Sequence, residues 1–368
     1  MSNTSGLKKM QSRNLGYMPR IDQLRFIACL IVFSFHFFGY LAPNYEVFDV
    51  YPWTAIVSEG HTGIGLFFTL SGFLFMLIAL NSKKIIYRKF LLNRFLRIFP
   101  LFIFVFFVAV SMNRDSFVAT DIFYILFSNM GNAPTSQSFI TGPAWTISVE
   151  FTFYAAFPFL AAISRERGIS YLVTIIGLIL LFKVGAYLQN DESIKIFYST
   201  ILGRFDQFLV GMIFAFLHCR YSEKLRSLSV ISVACTALLV TINSSFQGYF
   251  YPLDYSELRH PMWIFWSIQE SLGWGLFILV WINASFRIPR VIDRFMTRGG
   301  EISFSIYLMH AVVVVIFAEI LGKVQLTGHR DWDLMILGAV TFGAVWVIAV
   351  ASYEAIEKPF LELRVKYG

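Results

Sequence analysis

The sequence predicts an all-α, polytopic integral membrane protein: ten transmembrane helices with both termini cytoplasmic. Three observations predict it. Hydrophobic residues make up 57% of the 368 and charged residues only 14%, more apolar surface than a soluble domain of this length needs. The apolar stretches are continuous and exceed the ~18 residues that, at ~1.5 Å rise each, span ~30 Å of hydrocarbon. An outer-membrane barrel would instead alternate over short segments. Finally, the basic residues are segregated: 23 of the 30 Lys and Arg fall on one set of connections, five on the other, and two within spans. An excess of Lys and Arg marks the cytoplasmic side, so the placement of charge says more than the net value of +7.

The first span, 22–42, follows a polar stretch and carries Arg25 and His36. The second, 60–81, opens on the glycines of "GHTGIGLFFTLSGFL". The third, 92–111, follows the most basic connection, "SKKIIYRKFLLNRFLR". The fourth, 145–163, runs from Trp145 towards Arg165 and Arg167. The fifth and sixth, 170–188 and 196–217, hold the in-span cations Lys183 and Arg204. The seventh and eighth, 227–243 and 262–283, flank an aromatic-rich outer loop at 244–261 whose rings could stack on sugars. The ninth, 303–322, follows Arg287, Arg290, Arg294 and Arg298. The tenth, 334–354, leads into "YEAIEKPF", where Pro359 is expected to stop the helix.

The segment "FVATDIFYILFSN" (117–129) is too short for a crossing, and counting it would invert every later connection. A re-entrant or interfacial helix is expected there. The organisation expected is an N-terminal tail at 1–20, a transmembrane domain at 21–357 and a C-terminal tail at 358–368. No cleavable signal peptide is expected. Cys29, Cys219 and Cys235 suggest no disulfide framework. No internal repeat supports an inverted-repeat transporter.

Ionisable groups inside a membrane are expensive and point to function. Arg25 and His36, eleven residues apart, share one helix face. Glu150, in "GPAWTISVEFTFY", lies ~7.5 Å below the outer edge and His36 ~9 Å below it, from the helix rise. A carboxylate beside an imidazole fixes its tautomer and favours its charged form, the arrangement of a general base with an orienting partner. A packed, structural histidine is the alternative. Arg94 and Arg97, with Arg88 and Lys89 nearby, form a cationic rim. They set topology or clamp phosphate, since guanidinium forks bind phosphate oxygens in pairs. Arg204 and Asp206 cannot face each other at two residues' separation, so each is expected to pair with another span. Ser305, Tyr307 and His310 lie in the ninth span, His310 being structural or catalytic. Ser71 sits mid-span among packing glycines, and His61 at the interface, where water would solvate it. No phosphate-cradling Gly-rich loop or metal-ligand spacing is present, so no metal is expected.

Together and in this order, these motifs resemble the membrane-bound acyltransferase 3 family, from Ile21 to about Pro359. The resemblance rests on Arg25 and His36 (Arg-x10-His), "LFFTLSGFL" with Ser71 and Gly72, and Arg94 and Arg97 (Arg-x-x-Arg). It rests further on Trp145, Thr146, Ser148 and Glu150, with Tyr154 following, on "SFSIYLMH" with Phe304 in place of a first Tyr, and on "EKP". Many relatives carry a second acidic residue where Phe151 stands, and an acidic residue where Gly65 stands. Some carry an added esterase-like domain, which is not expected here.

The resemblance implies O-acylation, most often O-acetylation, of a cell-surface glycan or lipid-linked sugar at the inner (cytoplasmic) membrane. The donor would be a cytoplasmic acyl-CoA, usually acetyl-CoA in this family, with no cofactor bound permanently. Arg25, Arg94 and Arg97 would hold the donor, and His36 with Glu150 would act on the acceptor hydroxyl or carry the acyl group. Ser71, Trp145, Ser148, Tyr154, Arg204, Tyr307 and His310 would support them. Membrane lipids and the glycan acceptor are the expected partners, with no nucleic acid and with self-association left open. A proton-coupled transporter using the same buried groups is the competing class, and a non-catalytic scaffold a third.

Overall fold

The computed structural model describes residues 16–41, 54–112, 114–116, 145–250, 259–321 and 326–367. These are helical almost throughout, with no strand among them. In chain order they form α1 (Pro19–Leu41), the short α2 (Ala55–Ser58), α3 (Thr62–Leu80), α4 (Tyr87–Met112) and α5 (Trp145–Arg167). Then come α6 (Ile169–Gln189), the short α7 (Ser193–Ser199), α8 (Ile201–Leu225), α9 (Val230–Phe250) and α10 (Trp263–Asn283). The amphipathic α11 (Arg290–Glu301) is followed by α12 (Ser303–Leu321), α13 (Arg330–Ser352), a π turn (Tyr353–Glu357) and α14 (Lys358–Glu362). Ten of these helices are long and apolar enough to cross a membrane, and they correspond one to one with the ten expected spans. The 117–129 segment lies outside the described residues.

Several boundaries differ from expectation; the sixth span, expected at 196–217, runs from Ile201 to Leu225. Helix α4 begins at Tyr87, five residues before the expected start at 92; Arg94 and Arg97, within the expected span, line an internal cavity. Helix α9 continues to Phe250, so the first part of the expected 244–261 loop is helix. Pro359 does not stop the last helix: it occupies the first turn of α14, directly after the π turn. A widened turn accommodates a residue with no N–H, and proline is tolerated at a helix start.

The bundle is built around α3 and α8, its most extensively packed pair. Their backbones nearly touch. A Cβ on Gly72 would lie 2.0 Å from the Phe208 carbonyl oxygen, and one on Gly211 2.0 Å from that of Thr69. Small residues at such crossings are how membrane helices gain contact where lipid is as apolar as protein. Helix α1 packs on α3, α11 and α12, and α10 on α3, α8 and α9. Large apolar side chains such as Phe104, Phe107, Leu181, Phe182 and Val347 remain exposed, as expected where hydrocarbon replaces water. On α6 only Leu172 and Lys183 are buried. A single residue, Gly168, reverses the chain between α5 and α6 with φ at +73°, which a side chain would resist.

Helix α11 lies under α1. Its Gly299 and Gly300 pack against Phe26 and the Asp22 backbone, and Gln23 donates to Asp293 at 2.6 Å. Arg20 caps the α10–α11 connection through the Phe286 carbonyl at 2.6 Å. Helix α4 touches α5, α12, α14 and the π turn. Between it and α1, α3, α5 and α12 an opening remains.

Candidate active site

That opening is a cavity reached by side chains from all five helices, among them Arg25, Ser71, Arg94, Glu150 and Tyr307. Its lining on α3 runs from Ile64 to Phe75 and on α5 from Thr146 to Tyr154, about 12–16 Å along the helix axes. The basic end carries Arg25 from α1 and Arg94 and Arg97 from α4; the far end carries Thr146 and Tyr307. The cavity is thus a slot parallel to the helices, charged at one end.

The three arginines are held differently. Arg25 donates to Asp22 at 2.8 Å. Arg94, only 8% exposed, donates to the Tyr367 hydroxyl at 2.7 Å and covers the Phe75 ring at 4.8 Å. Arg97 is half-buried and has no hydrogen bond or ion pair among the described residues. Midway along the slot, the Glu150 carboxylate accepts at Oε1 from Ser71 at 3.0 Å and from the Tyr154 hydroxyl. At the far end the Thr146 and Tyr307 hydroxyls are hydrogen-bonded at 2.7 Å.

One turn past Tyr307 stand two histidines. His310 Nδ1 lies 2.6 Å from the Tyr307 carbonyl oxygen. A carbonyl only accepts, so Nδ1 carries the proton and Nε2 is bare. That Nε2 lies 3.1 Å from His36 Nδ1, which also lies 3.0 Å from the Val32 carbonyl oxygen. With two acceptors facing it, His36 Nδ1 holds the proton of the neutral ring. The free lone pair is therefore on His36 Nε2, which has no protein partner among the described residues, on a half-buried side chain. His310 itself is 1% exposed.

This geometry corrects one expectation. His36 and Glu150 do not hydrogen-bond to each other: Glu150 turns to Ser71 and Tyr154, and His36 turns to His310. Equal depth does not fix the direction in which a side chain leaves its helix. Ser71, Tyr154 and Tyr307 line the slot as described. Ser148 is buried in α5 and does not line it.

Trp145 and Arg204 belong to a second polar cluster. Arg204 is fully buried, its guanidinium 4.2 Å from the Trp266 ring and 5.5 Å from Trp145. It donates through Nε to the Tyr198 carbonyl at 2.7 Å and approaches Glu270 at 3.5 Å. Asp206 pairs with Lys183 at 2.6 Å and Ser267 at 2.7 Å, so both in-span charges do find other spans. His61 is not solvated: it is 1% exposed, 3.0 Å from Glu59 and 3.1 Å from Gln247.

Glu270 and Gln207, bonded at 2.6 Å, were legible as polar residues inside apolar runs and belong with the candidates. Tyr367, the partner of Arg94, carries no such signal.

Residues 18–353 match the acyltransferase 3 family, described as an acyltransferase domain. The chain is 23% identical to the peptidoglycan O-acetyltransferase OatA of Listeria monocytogenes, over 96% of this chain and 57% of that protein. It is also 23% identical to the acyltransferase MdmB of Streptomyces mycarofaciens, over 94% of this chain and 92% of that protein. The chain therefore spans little more than half the length of OatA. No solved structure matches it. A family match over nearly the whole chain, on ten membrane-length helices, leads to one conclusion: the chain belongs to the acyltransferase 3 family and is a multi-pass membrane acyltransferase.

Proposed function

We propose that this enzyme moves an acyl group, an acetyl group first among them, from cytoplasmic acyl-CoA to a hydroxyl of a glycan or lipid-linked sugar across the inner membrane. The observation that carries the reading is a slot with three arginines at one end and, one turn beyond the other, a histidine with a bare Nε2. Guanidinium groups suit phosphate. The slot's length of about 12–16 Å suits an extended pantetheine arm. The excess of Lys and Arg at the arginine end supports a cytoplasmic entrance. The relatives' names support acyl transfer, in one case to peptidoglycan oxygen. The transporter alternative gains no such support.

In this reading, the acceptor hydroxyl loses its proton to His36 Nε2 as its oxygen bonds to the thioester carbonyl carbon. The tetrahedral adduct collapses, the C–S bond breaks, and the departing coenzyme A sulfur takes the proton back. His310 keeps the His36 lone pair outward. Tyr307, at the slot's end, is within the region where the thioester carbonyl would lie and can donate to it. Glu150 accepts twice at Oε1, which leaves Oε2 to receive an amide N–H of the pantetheine arm.

The test is acyl transfer by the detergent-purified enzyme. His36→Ala is expected to lower turnover by about 10²–10⁴-fold, the usual worth of a general base, while donor binding persists. Arg97→Gln is expected to raise the donor KM and leave the acceptor KM alone. Full turnover in folded His36→Ala protein, or unchanged coenzyme A affinity in Arg97→Gln, would overturn the respective assignment.

A further inference from the structure

Residues 363–367, which follow α14, fold back under the start of α4 and are fixed there at several points. The Asn93 side chain clamps Val365 from both sides, donating to its carbonyl at 2.6 Å and accepting from its N–H at 2.9 Å. The Ile86 N–H donates to the Tyr367 carbonyl at 3.0 Å. The Tyr367 ring packs edge-on against Phe90, its hydroxyl accepts from Arg94 at 2.7 Å, and the side chain is 1% exposed. A buried polar tether of this kind is specified by geometry as well as by burial.

The clamp on Val365 holds the neighbouring Arg364 close to the arginine end of the slot, although Arg364 does not itself line it. Arg364 is half-buried and donates through Nε to the Leu361 carbonyl at 3.0 Å, with no carboxylate partner among the described residues. It stands within electrostatic reach of Arg97 and Arg94; burial, together with these two neighbours, holds its pKa down to about 10. It is still charged at neutral pH. Arg97 also forms no ion pair among the described residues. Glu357, buried within electrostatic reach of Arg97, gives its Oε1 to Ser305 and makes no salt bridge among the described residues. Like charges gathered partly out of water repel one another, and a polyanion at this spot relieves that repulsion. With a pantetheine arm filling the slot, the diphosphate and ribose phosphate of coenzyme A fall outside it, at this mouth.

We propose that segment 363–367 is part of the donor site: Arg364 joins Arg97 in binding the phosphates of coenzyme A, and Tyr367 is a positioning residue that holds Arg94 towards them. The proposal rests on the acyl-CoA reading above.

Two donors separate the possibilities: acetyl-CoA and acetyl-pantetheine, which has the same thioester and no phosphate. With purified enzyme, Arg364→Gln is expected to raise the KM for acetyl-CoA about tenfold, the scale of one charge-assisted hydrogen bond. The KM values for acetyl-pantetheine and for the acceptor should stay as in the wild type. Arg364→Lys, which keeps the charge, should recover much of the loss. Tyr367→Phe, which keeps the ring packing, should shift the acetyl-CoA KM in the same direction. Equal impairment of Arg364→Gln with both donors would make the residue structural and overturn the proposal. So would an unchanged acetyl-CoA KM in Arg364→Gln where Arg97→Gln is impaired, an outcome that leaves the acyl-CoA reading standing. A wild-type enzyme that gains nothing from the phosphates would overturn both.

Discussion

His310 acts on the bare nitrogen of His36 without touching it. Its own Nδ1–H is committed to the Tyr307 carbonyl, so its Nε2 can only accept, and that forces the His36 proton onto Nδ1. Loss of His310 leaves the Val32 carbonyl alone to hold that proton on Nδ1 and so loosens the His36 tautomer and ring orientation while sparing the slot. His310→Ala is expected to lower turnover about tenfold or more, a share of what a general base supplies, with the donor KM unchanged. His310→Gln, whose amide oxygen can accept the same hydrogen bond, should recover part of the rate. Steady-state kinetics on both variants check this, and an unmoved kcat in folded His310→Ala would remove the role. At this scale the sequence was legible by type and depth. His36, Glu150 and the three arginines stand out as ionisable residues in apolar runs. The partner of each was not legible, because depth leaves the rotation of a helix about its own axis undetermined. That rotation sends Glu150 to Ser71 and His36 to His310.

Among the elements, the α3–α8 contact bears most on the site, because α3 carries Ser71 one residue before Gly72. A methyl group at Gly72 would meet the Phe208 backbone oxygen at 2.0 Å, and backbone cannot swing aside as a side chain can. Gly72→Ala should therefore separate the two helices locally. The expected cost is about 1–3 kcal/mol, the usual range for overpacking, read as a lower unfolding midpoint in detergent. Ser71→Ala, with no such clash, should not show that loss. Sequence patterning identified all ten long helices, since continuous apolar length is a local property. Their ends were less legible. Tyr87–Leu91 are polar enough to read as a connection, yet they extend α4 because residues 363–367 and α14 cover that turn. Pro359 reads locally as a stop, and only the preceding π turn lets the helix pass through it.

Across the whole molecule, two polar systems share one apolar bundle. One is the slot; the other ties α6, α8 and α10 together through Lys183, Asp206, Ser267, Arg204, Gln207 and Glu270. Lys183 and Asp206 have fully buried side chains, so each depends on the other for its charge to be tolerated. Removing one partner of such a pair typically costs about 3–5 kcal/mol, whereas an apolar pair of similar volume is often neutral. Lys183→Met is thus expected to destabilise by about that much, and Lys183→Met with Asp206→Leu to recover most of it. A double-mutant cycle on unfolding midpoints measures the difference. Additive losses would show the pair to be independent.

The sequence alone determined the class of this protein, the number of its spans, the segregation of its charge and the residue types able to do chemistry. These follow from hydrophobicity and spacing, which every residue carries whatever its neighbours. The tertiary structure decided which of those residues meet: the arginines in one slot, His36 with His310, Arg94 with Tyr367 more than 270 positions away in the chain. Such pairings depend on helix order and rotation within the bundle, and packing sets both only when the whole chain is assembled.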